Sequence, residues 1–202
     1  MKTYPSISAM VQMGLPIYAF DKIDGSNIRA EWSRKRGFYK FGSRNRLLGT
    51  DQTSLVKAEP LIRAQEEQVT AICRKNRWER IILFYEFAGP KSSFGNHVDD
   101  DDHQVSLIDA NPYKRGILPP REFIDVFSDL NPAPLLYRGN CNNGFVQSVK
   151  DGTLEGMGSE GVVCKAKGKG NTIVMFKVKS ESWYARLREH CQGDDGLFER
   201  LK

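Results

Sequence analysis

The 202 residues suit one mid-sized domain and are enough to bury a core without disulfide staples. With 40% hydrophobic and 27% charged residues, and no apolar run near the ~20 residues a membrane span needs, the composition excludes membrane, collagen-like and largely disordered classes. The 30 lysines and arginines against 25 acidic residues leave a net charge of +5, which allows a polyanionic partner without requiring one. In chain order, Pro16 to Phe20 is an apolar run and Asn27 to Ser33 alternates polar and apolar residues. Phe38 to Phe41 follows a basic turn, Arg34-Lys35-Arg36-Gly37, as in a hairpin. Pro60 fits the first turn of a helix that continues to about Asn76, with Leu61, Ile62, Val69, Ile72 and Cys73 on one face. Arg80 to Phe87 is the most apolar strand and is expected at the centre of a sheet, and Val105 to Asp109 reads as another strand. Pro119-Pro120 opens a short helix through about Leu130. Gly161 to Lys165 and Thr172 to Lys179 are strands joined by the turn Lys167-Gly168-Lys169-Gly170. Ser182 to Cys191 and Gly196 to Lys202 read as helices. Strands and helices mix without regular alternation, which predicts an α+β domain on antiparallel sheets rather than a doubly wound fold.

The four cysteines, at 73, 141, 164 and 191, form no CxxC pair, so neither a disulfide framework nor a cysteine-rich zinc site is expected. Met1-Lys2-Thr3-Tyr4-Pro5 lacks the apolar core of a signal peptide, and a reducing cytoplasm is the expected compartment. The run Asn96-His97-Val98-Asp99-Asp100-Asp101-Asp102-His103 has the composition of a metal site, but consecutive carboxylates repel and more often form a solvated loop.

The segment Asp21-Lys22-Ile23-Asp24-Gly25-Ser26-Asn27 places a lysine at the end of an apolar strand, just before a glycine turn. A lysine pointing from there into a pocket can become a nucleophilic amine through desolvation and nearby cations. In Lys177-Val178-Lys179, strand periodicity puts both lysines on one face, where they can grip a phosphate and repel the charged form of Lys22. An edge strand with solvated lysines would have the same pattern. Glu160 stands at the mouth of the Val162-Val163 strand. Glu86 lies inside an apolar strand and needs a partner, either a ligand or a buried arginine.

Taken in order, these segments resemble the covalent nucleotidyltransferases that include ATP-dependent ligases and capping enzymes, and most closely the phage-type RNA ligases. Lys22-Ile23-Asp24-Gly25-Ser26-Asn27 resembles the KxDG box, and Ser43-Arg44 the next motif. Phe84-Tyr85-Glu86-Phe87-Ala88-Gly89 resembles the glutamate box, with Leu107-Ile108-Asp109 as the following strand. Glu160-Gly161-Val162-Val163-Cys164-Lys165 matches EGxVxK, and Phe176-Lys177-Val178-Lys179 the KxK box. The resemblance spans about residues 16 to 190.

It implies an antiparallel-sheet nucleotidyltransferase domain of the ligase-adenylation, ATP-grasp-like kind over 1–202, with residues 180–202 a helical tail and too few residues for a C-terminal oligonucleotide-binding barrel. Lys22 would carry AMP from ATP, with Lys177 and Lys179 catalytic beside it. Asp21, Asp24, Gly25, Asn27, Arg44, Glu86, Ile108, Glu160 and Lys177 would bind the nucleotide, Glu86 through the ribose hydroxyls and Asp21 through the adenine amino group. Arg46 is a rival for the role of Arg44. Glu160 would hold Mg²⁺, which favours hard oxygen ligands and few protein carboxylates. Ile108 stands where such ligases often have an aromatic to stack on adenine. The implied partners are RNA ends bearing a 5′-phosphate and a 3′-hydroxyl, with no membrane and no obligate protein. Arg34, Lys35, Arg36, Lys167 and Lys169 are candidates for electrostatic contact with the polymer. A minimal DNA ligase and a non-catalytic nucleic-acid-binding relative are the competing readings.

Overall fold

A computed structural model describes residues 2–49, 54–89, 102–170 and 172–202. Among these residues the strands are β1 (Pro16–Asp21), β2 (Ser26–Ser33), β3 (Gly37–Ser43), β4 (Arg80–Ala88), β5 (Gln104–Pro112), β6 (Leu135–Asn140), β7 (Gly161–Lys167) and β8 (Ile173–Lys179). The helices are α1 (Ala58–Arg63), α2 (Glu66–Lys75), α3 (Pro120–Phe127), α4 (Asn143–Lys150), α5 (Glu181–Cys191) and α6 (Asp195–Leu201). The expected α+β class is what the chain adopts: two four-stranded antiparallel sheets, ordered β6-β1-β7-β8 and β3-β2-β4-β5.

Strand periodicity builds both layers. Along β2, Ile28, Ala30 and Trp32 are buried on one face while Asn27, Arg29 and Glu31 take the other. On the apolar face of that sheet, Ile62 of α1, Val69 and Cys73 of α2, and Phe123 and Phe127 of α3 join Leu83, Tyr85 and Leu107 in one core. In the first sheet, Ile17, Ala19, Val162, Cys164, Phe176 and Val178 form a second core with Phe145 and Val149 of α4. The remaining faces of the two sheets meet at a buried ion pair, Lys165 Nζ to Asp109 Oδ2 at 2.8 Å. The cavity described below opens beside it.

β4 lies inside its sheet, as its apolar run predicts. The single helix expected from Pro60 to Asn76 is corrected to two: α1 begins at Ala58, and Ala64 and Gln65 interrupt it before α2. The break turns Gln65 toward the core, where Oε1 accepts a 3.1 Å bond from the Tyr85 hydroxyl, and it aims Glu66 at the Phe38 N–H, 3.1 Å away. β6 and α4 are absent from the sequence reading. β6 has little hydrophobic contrast, whereas α4 does carry a cap signal, because the Asn142 side chain accepts from the Phe145 N–H at 2.9 Å. All four cysteines are free and buried. Of the acidic run, residues 96–101 lie outside the described residues, and the His103 ring stacks on Phe87 with centroids 5.3 Å apart. Among the described residues no cluster of three or more metal-binding side chains is present, and no helix is long and apolar enough to cross a membrane.

Candidate active site

Three neighbouring strands create the cationic wall of a cavity of about 390 Å³. β1 ends at Asp21, and the Lys22 N–H continues the ladder by donating to the Gly161 carbonyl at 2.9 Å. Across β7 and β8, Gly161 faces Lys179 and Val163 faces Lys177. Lys22 and Lys179 therefore flank a position with no side chain. Gly161 has φ +133°, and a Cβ there would sit 2.2 Å from the Val178 carbonyl oxygen, so glycine is required. The carboxylate of Glu160 occupies the space between the lysines, with Oε2 2.7 Å from Lys22 Nζ and Oε1 2.9 Å from Lys179 Nζ. Ser180 locks this arrangement. Its N–H donates to the Glu160 carbonyl (3.0 Å), its hydroxyl donates to Ser159 (2.9 Å), and the hydroxyl caps α5 by accepting from the Trp183 N–H (3.1 Å). The Trp183 ring lies under Lys179 Nζ at 3.3 Å.

Burial lowers the Lys179 ammonium to about 8 despite the opposing pull of Glu160. Burial also lowers Lys177, helped by repulsion from Lys22. The expected cations are near Lys22, and beyond burial, repulsion from it lowers Lys177 and Lys179, but its ion-pair partner is the Glu160 carboxylate.

The opposite wall comes from the second sheet and carries acceptors. Glu86 lines the cavity, and burial first of all pushes its carboxyl up to about 7, with Lys22 opposing. Among the described residues no arginine is ion-paired with it, so the arginine alternative does not hold. Asn27 donates to the Tyr85 carbonyl at 3.3 Å, while its Oδ1 is buried without a hydrogen-bond partner among the described residues. Gly25 lets the turn pass the strand end, since a Cβ there would meet the Phe87 carbonyl oxygen at 2.5 Å. Asp24 is not part of the lining but is close enough to Glu86 to raise it electrostatically. Asp21 lines the cavity with Oδ1 accepting from the Gly158 N–H at 2.8 Å, and burial raises its carboxyl. Arg44 reaches the cavity, whereas Arg46 lines only an adjoining depression of about 270 Å³.

Ile108 owes its position to a bulge. The β4–β5 register pairs Phe84 with Asp109 and Tyr85 with Leu107, leaving Ile108 unpaired and its side chain in the cavity lining. The released Ile108 carbonyl accepts from Lys165 Nζ at 2.6 Å. Lys165 is thus a site residue that the sequence reading quoted without assigning. Its period-two spacing from Gly161 and Val163 was the available signal. Tyr4 is another: its hydroxyl bonds to Asp109 and its ring lies 5.0 Å from Phe84. No local pattern marks a tyrosine that acts 105 residues away. Lys202 was also missed; its carbonyl accepts from Lys177 Nζ at 3.1 Å.

Lysines thus line one wall of the cavity and oxygen acceptors the other. Residues 15–179 match the RNA ligase family, and the chain belongs to it. Among solved structures it is similar to the Naegleria gruberi RNA ligase. A variant with ATP and Mn has TM-score 0.65 and 16% identity over 91% of this chain and 57% of that one. A variant without ligand has TM-score 0.62 and 17% identity over 94% and 59%. The enzyme with pyrophosphate has TM-score 0.61 and 19% identity over 89% and 53%. The chain therefore spans little more than half the length of these relatives. No curated protein matches it.

Proposed function

We propose that the chain is the adenylation domain of an ATP-dependent RNA ligase, a nucleotidyltransferase with α5 and α6 as its helical tail. The observation that carries this reading is the ion-paired series Lys22–Glu160–Lys179, whose two lysines line a nucleotide-sized cavity while the buried Glu160 joins them. Lys22 Nζ attacks the α-phosphorus of ATP. An N–P bond forms, the bond from that phosphorus to the bridging oxygen breaks, pyrophosphate leaves with the electron pair, and the amine loses a proton. Lys177 and Lys179 meet the negative charge on the phosphates, where fixed electrostatics supply most of the catalysis. Glu86 and the unpartnered Asn27 Oδ1 offer acceptors to the ribose and base. Ile108 packs on the base as an aliphatic surface.

Glu160 is a hard oxygen donor of the kind Mg²⁺ takes, usually as one or two carboxylates alongside substrate phosphates and water, so the donor set fits that ion. When bound, Mg²⁺ would supply neutralisation of phosphate charge. Withdrawal of Glu160 Oε2 from Lys22 frees the amine that must attack. The AMP then passes to a 5′-phosphate, and a 3′-hydroxyl displaces it to join the strand.

The test is a chase of pre-adenylated protein without ATP. Strands ending in a ribonucleotide should be sealed far faster than all-DNA nicks, because a protein tells RNA from DNA only where it meets the 2′-hydroxyl. Equal sealing would favour a DNA ligase instead.

A further inference from the structure

The polar face of the second sheet does not end at the cavity. On β4 it runs from Glu86 back through Phe84 to Ile82 and Arg80, and on β2 from Asn27 through Arg29 to Glu31. At its far end a second groove of about 330 Å³ is lined by Lys2, Tyr39, Arg80, Asn111, Tyr113 and Lys114, among others. Ile82 of this groove is four strand residues from Glu86, a distance of about 13 Å. The N-terminal segment joins the two. Lys2 lines the groove and Tyr4 lines the cavity, and two residues of chain span at most about 7 Å.

The groove interleaves aromatic rings with cations. The Arg80 guanidinium lies 4.0 Å from the Tyr113 ring centroid, and Lys114 Nζ lies 5.4 Å from the same ring. Arg36 is not part of the lining, but its guanidinium lies 3.9 Å from the centroid of Tyr39, which is. Tyr113 is 55% exposed, so part of its ring is open to solvent beside the two cations. The one acid of the lining among the described residues, Glu31, accepts from the Tyr39 hydroxyl at 2.7 Å, which fixes that ring.

We propose that this groove holds a single-stranded RNA segment adjoining the end that is joined. The proposal rests on the ligase reading above and extends it to a second binding surface. Successive bases stack on Tyr113 and Tyr39 and against the guanidinium planes of Arg80 and Arg36, while Lys2 and Lys114 meet phosphates. Aromatic platforms in a cationic groove are how proteins hold single strands without reading their sequence. Charge favours this occupant over an acidic peptide, because flat rings between cations match bases alternating with phosphates.

The experiment uses the full chain and a fluorescent 5′-phosphorylated single-stranded RNA of twelve or so nucleotides, with adenylation and sealing measured in parallel. Tyr113→Ala and Tyr39→Ala should each weaken RNA binding about tenfold and raise the RNA concentration needed for sealing, while covalent labelling by ATP stays at the parent rate. Tyr113→Phe should restore binding, because the ring is retained. Lys114→Ala should weaken binding and reduce the salt slope by about one. If the parent seals RNA and all of these variants bind it equally well, the groove is off the RNA path and the proposal fails alone. Displacement of RNA by an acidic peptide with no effect of the variants on sealing overturns it in favour of a protein partner. A parent that neither takes up AMP nor seals RNA takes the ligase reading down with it.

Discussion

The sheet containing β1, β7 and β8 presents Lys165, Lys177 and Lys179 to the cavity, whereas the sheet containing β2, β4 and β5 presents Asn27, Glu86 and Ile108. Both walls are made by the same period-two alternation, and in both the hidden face is apolar. They differ in charge and in how that charge is settled. On the first wall two lysines share one carboxylate at 2.7 and 2.9 Å. On the second, Glu86 feels Lys22 and Arg44 only at a distance, with no salt bridge among the described residues, and Asn27 Oδ1 has no hydrogen-bond donor among them. A buried polar group without a partner costs free energy, and a ligand that supplies the partner recovers it. On the function proposed above, the cationic wall takes the phosphates and the acceptor wall the sugar and base.

The largest expected effect falls on Lys22, where the walls meet. Lys22→Ala should abolish label from ATP that survives denaturation, with the fold kept, and Lys22→Arg should do the same because a guanidinium stays protonated. Label retained by Lys22→Ala would move the nucleophile elsewhere. The join between the walls comes next. Lys165 and Asp109 are both buried, so Lys165→Ala should lower unfolding stability by about 3 kcal/mol or more by stranding a carboxylate. Lys165→Met combined with Asp109→Leu should recover part of this in denaturant titrations, and a single variant as stable as the parent would show that the pair does not fasten the sheets.

Within the cationic wall, Lys177→Ala and Lys179→Ala should each slow adenylate formation by roughly a hundredfold, the usual cost of one lost electrostatic donor. Glu160→Ala should raise the Mg²⁺ concentration needed for half-maximal labelling. Parent rates in all three would leave these residues with a structural role alone.

The smallest effect belongs to the acceptor wall. Burial raises Glu86 from 4.5 to about 7, so the folded chain keeps a proton that the unfolded chain releases. Its contribution is complete below pH ~4.5 and is lost as pH rises through about 7. The unliganded melting midpoint should therefore fall between pH 5 and 7.5 more steeply in the parent than in Glu86→Gln. Parallel curves would show that Glu86 is not held in a dry site.

How much of this was legible depended on whether the signal was local. β2, β4, β7 and β8 follow from alternation or an apolar run confined to a few residues, and the boxes around Lys22, Glu160 and Lys177 lie on those strands or at their ends. Tyr4 was invisible because its importance comes from Asp109, reached only when the N-terminal segment crosses the sheet. The bulge that frees Ile108 depends on the register between two strands, which no single strand encodes. The ion pair of Lys22 with Glu160 joins groups 138 positions apart, so no local pattern announces it. The groove at Tyr113 and Tyr39 was half visible. Arg36 had been marked as a basic turn residue, but the rings become a platform only once β3 and the end of β5 share a face.

The most direct test of the central claim is to locate the AMP. Parent protein incubated with ATP and Mg²⁺, digested and examined by tandem mass spectrometry, should carry one adenylate on the peptide containing Lys22, joined at its side-chain nitrogen and released by added pyrophosphate. An adduct confined to another lysine, or no adduct on a folded chain that binds ATP, would contradict the assignment of Lys22 as nucleophile.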